Sequence, residues 1–171
     1  MESTAVENLP PEYDPLDGGT GAYLLHAGKT LATAESCTGG LVAARLVRVG
    51  GSSAYFLGGI VSYSNAAKHK LLSVPEAHLE QYGAVSVETA LAMAHGAREA
   101  FGSDIAVSTT GVAGPGGGTE TKPVGLVYIA LAAADGERCL RYVWSGDRLA
   151  NIAASADAAL RLIRQYIEET Q

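Results

Sequence analysis

The chain has 171 residues, 47% of them hydrophobic and 18% charged, which excludes a disordered protein and points to one domain with extensive buried or subunit-covered surface. The net charge of −6 excludes the clustered basic footprint of a nucleic-acid binder. Most of that charge sits in residues 1–17, where Glu2, Glu7, Glu12, Asp14 and Asp17 stand without a base, leaving 13 acids against 12 bases in the remainder.

Residues 1–19 read as an acidic, flexible tail, because Pro10, Pro11 and Pro15 interrupt helix and Gly18-Gly19 loosens the backbone. Residues 20–171 read as a single domain. A short helix over Ala22–Ala27 is expected, closed by Gly28. Thr30–Ala34 reads as a buried strand running through Glu35-Ser-Cys-Thr-Gly-Gly40 into a helix that ends near Val49, with Leu41, Ala44, Leu46 and Val49 at helical spacing. Gly59–Tyr63 is a second short apolar strand. Ser64 or Asn65 caps the next helix, which carries Lys68, His69 and Lys70. Pro75 suits the first turn of a short helix ending at Gly83. Ser86 is the N-cap of a helix over Val87–Phe101, with Glu88 in its first turn and Gly102 closing it. Ile105–Thr109 is a third strand, followed by the glycine-dense segment Gly111–Gly118. Val124–Ala133 and Arg138–Trp144 form a hairpin at Asp135-Gly136, and Arg148–Glu169 is a long closing helix. The early β–α units imply parallel pairing and the late hairpin an antiparallel edge. The fold class is α/β, a three-layer sandwich with a mixed, mostly parallel sheet between helices.

In such sheets ligands sit beyond the carboxyl ends of the strands. Glu35–Gly40, Tyr63–Lys68 and Thr109–Pro123 all occupy that position. In the first, Ser36 lies near free backbone N–H groups that can stabilise an oxyanion or a phosphate, although serine before a helix is also a common N-cap. Cys37 is a rival nucleophile or a buried small residue. A serine nucleophile needs a base. His26, His69, His78 and His95 stand at ordinary positions without ligand spacing, so no metal is expected. Lys68 is the best-placed base if burial lowers its pKa, and otherwise a surface helix lysine. Gly111–Gly118 is neither a P-loop nor a dinucleotide fingerprint, yet its glycines allow close approach to an anion or ring, with Lys122 supplying a charge. The two cysteines, Cys37 and Cys139, lie far apart and form no framework; no apolar run approaches the ~20 residues of a membrane span, and the opening Met-Glu-Ser-Thr-Ala lacks a signal peptide's basic start. The expectation is a cytoplasmic protein with no membrane or nucleic-acid partner.

Ala34-Glu-Ser-Cys-Thr-Gly-Gly40, Gly51-Ser-Ser53, Tyr63-Ser-Asn65 with Lys68, Gly83-Ala-Val-Ser86, Thr110-Gly-Val-Ala-Gly-Pro115 through Lys122-Pro-Val-Gly125 and Gly146-Asp-Arg148 together resemble the CinA C-terminal domain family, the nicotinamide-nucleotide amidases. The resemblance spans roughly Ala22 to Ile167. It implies hydrolysis of nicotinamide mononucleotide to nicotinate mononucleotide and ammonia, in pyridine-nucleotide salvage, without a cofactor. Carried over, the catalytic residues are Ser36, Tyr63 and Lys68. Cys37, Thr38, Gly39 and Gly40 surround the oxyanion at the helix N-terminus. Glu35, Asn65, Thr110, Gly111, Gly114, Gly116, Gly117 and Lys122 contact substrate. Where many relatives carry an arginine soon after Gly-Asp-Arg, this chain reads Asn151-Ile152. A homodimer or higher homo-oligomer is expected. The alternative function is a catalytically silent nucleotide- or protein-binding module of the same family.

Overall fold

In the computed structural model, residues 15–170 are described. They form α1 (Pro15–Ala27), β1 (Leu31–Glu35), α2 (Leu41–Val47), a single 3₁₀ turn (Ser52–Ala54), β2 (Phe56–Val61), α3 (Asn65–Leu72), α4 (Glu76–Gln81), α5 (Val87–Phe101), β3 (Ile105–Gly111), β4 (Leu126–Ala133), β5 (Gly136–Val143) and α6 (Arg148–Thr170). One mixed sheet has the order β2-β1-β3-β4-β5. β1 pairs in parallel with both β2 and β3, while β4 is antiparallel to β3 and to β5. Four of the five strands therefore run the same way, with only β4 reversed.

Period-two alternation sorts the strand residues onto two unlike faces. Leu31, Ile105, Val107, Val127, Ile129 and Leu131 point to one face and pack with Leu24 of α1, Val42 and Leu46 of α2, and Leu160 and Ile163 of α6. On the other face the strands offer alanine. Ala32, Ala34 and Ala106 meet Met93 and Ala97 of α5, and Ala130 and Ala132 meet Ala90 and Ala94. Small residues on both sides let α5 lie close against the sheet, at the expense of buried apolar area per residue. The two central strands β1 and β3 are buried almost throughout, as a strand covered on both faces must be. β2 and β5 are the edges, and on β2 Leu57 and Val61 remain half-exposed. No helix among the described residues is long and apolar enough to cross a membrane.

Helix α2 follows β1 on one face and α5 precedes β3 on the other. The strand order reverses at β1, and the crevice outside the carboxyl ends of β1 and β3 is where such a sheet takes a ligand.

The structure corrects several sequence boundaries. Strands β1 and β2 are displaced by one to three residues from the expected spans, α2 stops at Val47, and α6 runs one residue further. The hairpin turn is Ala134-Asp135 rather than Asp135-Gly136, since Ala133 pairs with Gly136. The largest correction is at the start. The helix expected from Ala22 begins at Pro15, whose fixed φ suits a first turn. Residues 15–19, read as tail, belong to it; residues 1–14 lie outside the described residues. Leu16, Asp17 and Thr20 are buried, and Thr20 Oγ1 donates back to the Leu16 carbonyl. Asp17 accepts from Arg45 Nε of α2 at 2.7 Å, and Arg45 also donates to Asp157 of α6. This ionic cluster ties α1, α2 and α6 together on one face of the sheet.

Leaving a buried charge wholly uncompensated costs about 3–5 kcal/mol; without Asp17, Arg45 keeps Asp157, so the cost lies toward or below the lower end of that range. Asp17→Ala is therefore expected to lower the melting temperature by on the order of 10 °C, measured by calorimetry. An unchanged melting temperature would return this segment to the status of a tail.

Candidate active site

The site is assembled by strand register. Glu35 ends β1 and pairs with Val61 of β2 on one side and Thr109 of β3 on the other. The ladder continues one step beyond. Ser36 N–H donates to the Thr109 carbonyl at 2.9 Å, and Ser62 N–H donates to the Glu35 carbonyl at 2.8 Å. Ser36 and Ser62 are thereby fixed side by side at the carboxyl edge.

Ser64 caps α3, its Oγ accepting from Ala67 N–H at 3.1 Å. Lys68 sits one turn in. Helical side chains lean toward the N-terminus, so its stem runs back along α3. Its Nζ donates to the Ser62 carbonyl at 2.7 Å and to Ser36 Oγ at 2.9 Å. The lysine is buried, with 1% of its surface exposed. Burial penalises the ammonium and brings its pKa down to about 8. α3 can seat this closely because position 96 of α5 is glycine: a Cβ there would stand 1.9 Å from the Leu72 carbonyl oxygen at the end of α3.

The turn after Ser36 is shaped by Glu35. Its buried carboxylate accepts from Thr38 Oγ1 at 2.6 Å and from the N–H groups of Gly40 (3.0 Å), Val42 (3.1 Å) and Ala43 (2.8 Å). Two successive left-handed glycines, Gly39 (φ 62°) and Gly40 (φ 101°), bend the chain so that α2 presents its first N–H groups to this carboxylate. Thr38 Oγ1 also lies 2.6 Å from Thr109 Oγ1; with the Thr38 proton directed at Glu35, Thr109 is the donor.

These contacts already engage several groups expected at the oxyanion and the substrate. The Glu35 carboxylate caps the start of α2. Gly39 N–H donates to the Ser36 carbonyl and Gly40 N–H to Glu35, so neither faces an oxyanion. The Cys37 thiol is buried and pushed up to about 12, chiefly by that burial, which keeps it protonated and unreactive.

Tyr63 does not join Ser36 and Lys68. It is 61% exposed, and its hydroxyl accepts from Arg148 Nη2 at 2.9 Å. Thr110 Oγ1 donates to the Ala84 carbonyl, and Gly111 lies in the β3–β4 ladder opposite Val127. Lys122 Nζ donates to the Tyr82 carbonyl at the end of α4, away from the glycines it was expected to assist. Gly116 and Gly117 are exposed on the loop, and Gly114 is buried, with its carbonyl accepting from Arg148 Nη1 at 2.7 Å. Asn65 lines an open groove of about 860 Å³ with His69, Lys70 and Glu76; neither Ser36 nor Lys68 lines it.

The cation missing from the sequence reading is Arg148. β5 runs parallel in direction to β3 and ends at the same edge, so the residue that opens α6 reaches over the crevice. Arg148 lines a cleft of about 450 Å³ with Ala113, Pro115, Val124 and Gly146. The matching Gly146-Asp-Arg148 triplet was a signal, but nothing in it assigned a role. Ser62 was equally silent, because it contributes only a carbonyl.

The family model for the CinA C-terminal domain matches residues 14–167. The chain is 49% identical over 147 residues to a putative competence-damage inducible protein of Desulforudis audaxviator, covering 86% of this chain and 36% of that protein. It is 56% identical over 135 residues to a CinA-like protein of Geotalea uraniireducens, covering 79% and 32%. The chain thus spans about a third of the length of the curated relatives it matches. Among solved structures it is similar to the competence/damage inducible protein CihA of Agrobacterium tumefaciens, at 39% identity and TM-score 0.86, covering 92% of this chain and 96% of that one. It is also similar to the competence damage-inducible protein A of Klebsiella pneumoniae, at 32% identity and TM-score 0.88, covering 91% and 97%. Motif order, sheet topology and the length of the match agree, and the chain belongs to the CinA C-terminal domain family.

Proposed function

We propose that this domain is an amidohydrolase that converts nicotinamide mononucleotide to nicotinate mononucleotide and ammonia through a serine acyl-enzyme. The observation that carries the reading is the buried Lys68 amine 2.9 Å from Ser36 Oγ at the crevice of the sheet. A hydroxyl is a poor nucleophile until a base takes its proton, and an amine held partly neutral near pH 7–8 is such a base. The Ser62 carbonyl engages one N–H of Lys68 and leaves the lone pair of the neutral amine for the Ser36 proton.

In this mechanism Ser36 Oγ attacks the carboxamide carbon and its proton passes to Lys68 Nζ. The N–H groups of Cys37 and Thr38 stabilise the oxyanion. The C–N bond breaks as Lys68 returns the proton to the departing nitrogen, and ammonia leaves. Water then adds to the acyl-enzyme, giving its proton to Lys68. The C–Oγ bond breaks, Ser36 recovers the proton, and the acid formed leaves as the carboxylate after giving its remaining proton to solvent. Tyr63 has no place in the relay, since its hydroxyl lies against Arg148. Specificity for a nucleotide requires a group remote from the amide, and what supports Arg148 in that role is its guanidinium at the same edge.

The direct test is incubation of the purified protein with nicotinamide mononucleotide and an assay for ammonia; absence of release at high protein concentration would sink the reading. Ser36→Ala is expected to reduce kcat by about 10³-fold or more. Cys37→Ala is expected to stay within about tenfold, because the thiol is buried and protonated. Equal losses would reverse the assignment of the nucleophile.

The pH profile follows from the lowered pKa of Lys68. Only the neutral amine accepts the proton, so kcat should rise with pH through a midpoint near 8 and level off above it. Lys68→Arg should lack this limb, as guanidinium stays charged. A profile that falls across pH 7–9 would exclude lysine as the base.

A further inference from the structure

Arg148 differs from the arginines that pair with carboxylates among the described residues. Arg45, Arg48 and Arg138 meet carboxylates. The hydrogen bonds of Arg148 go to neutral oxygens, the Gly114 carbonyl and the Tyr63 hydroxyl. Its long side chain is aimed by these two acceptors, and their geometry depends on how the loop before α6 is held against the glycine-rich loop.

That connection is made by Asn151. The residue is 1% exposed and both ends of its amide are engaged. Nδ2 donates to the Ala113 carbonyl at 3.0 Å, and Oδ1 accepts from Gly146 N–H at 3.0 Å. Ala113 precedes Gly114, and Gly146 stands two residues before Arg148. Both also line the cleft beside the guanidinium. The side chain is itself locked from below. Asn151 N–H donates to the Asp147 carbonyl, Ser155 Oγ donates to the Asn151 carbonyl at 2.7 Å, and Trp144 Nε1 donates to Ser155 Oγ at 2.9 Å. Asp147, the acid lining the same cleft, is turned to the helix, with Oδ1 accepting from Ala150 N–H at 2.8 Å.

We propose that Asn151 is a positioning residue: it staples the Ala113–Gly114 loop to the Gly146–Arg148 loop and so holds Arg148 to receive a phosphate monoester in the adjoining cleft. This rests on the amidase reading for the identity of the substrate and deepens it by naming what orients the nucleotide's anionic end. A guanidinium offers planar, paired donors to phosphate oxygens, but only if its orientation is fixed before binding. Tyr63 and the Gly114 carbonyl are the neutral acceptors that a phosphate would replace.

Asn151→Asp keeps the size and the acceptor for Gly146 N–H but leaves the Ala113 carbonyl without its donor; Asn151→Ala removes both bonds. The binding test uses ribose 5-phosphate and ribose as titrants in calorimetry, on variants shown by melting curves to be folded. Arg148→Ala and Asn151→Asp should each weaken ribose 5-phosphate about tenfold, and the double variant no more than the stronger single. Ribose should discriminate none of them. In turnover, Asn151→Asp should raise KM and lower kcat for nicotinamide mononucleotide while leaving kcat/KM for nicotinamide riboside unchanged. Wild-type affinity for ribose 5-phosphate in Asn151→Asp, additive losses in the double variant, or no preference of the wild type for ribose 5-phosphate over ribose each overturns the proposal. The two readings fail separately: phosphate binding as expected with no ammonia from the nucleotide removes the amidase and leaves the Asn151 staple standing. Ammonia release with Asn151→Asp slowed equally on nucleotide and riboside leaves the amidase standing and removes the staple.

Discussion

An ammonium moved out of water loses several kcal/mol of hydration, and α3 holds Lys68 in such a place. Everything around the lysine reduces that penalty without abolishing it. The Ser62 carbonyl and Ser36 hydroxyl satisfy two of its protons, but no carboxylate among the described residues pairs with it, and the amine is left near the balance point between charged and neutral. A glutamate in reach would have fixed the charge and removed the base. Glu35 is close in sequence to Ser36, but its oxygens are directed to the start of α2. The fold thus separates a buried carboxylate from a buried amine within one short turn, giving each a different partner.

That separation depends on register. Because β1 is central and pairs in parallel with strands on both sides, a single residue step places Ser36 against β3 and Ser62 against β1. The same ladder that stabilises the sheet aligns the hydroxyl and the carbonyl that Lys68 bridges. The Glu35 carboxylate, with three backbone N–H groups and the Thr38–Thr109 hydroxyl chain, then makes the turn after the strand as rigid as the strand itself. Burial of this carboxyl is tolerated here because both of its oxygens are hydrogen-bonded.

The sheet and its helices were legible in the sequence; Ser36 stands just past an apolar strand and Lys68 one turn into the helix after the next, and the family resemblance named the two together. What failed was side-chain direction. Ser62 and Tyr63 are neighbours in extended chain, and neighbours face opposite sides. With the Ser62 side chain buried, Tyr63 turns outward to solvent and to Arg148. Lys122 was judged by its proximity to glycines, but its loop folds back on the end of α4, which no local pattern encodes. The acidic composition before Gly18 concealed a helix start because Asp17 finds its partner, Arg45, only in the folded chain. Arg148 and Asn151 meet the site through α6, and their place was settled by the direction of β5 rather than by any motif around them.

The residue beside the nucleophile carries a last consequence. Cysteine next to a reactive serine would ordinarily expose the site to peroxide, since sulfenic acid forms from the thiolate. With the Cys37 thiol buried and its pKa pushed up to about 12, the neutral form is favoured. The burial that lowers the pKa of Lys68 raises that of Cys37, because desolvation favours the neutral form of both groups.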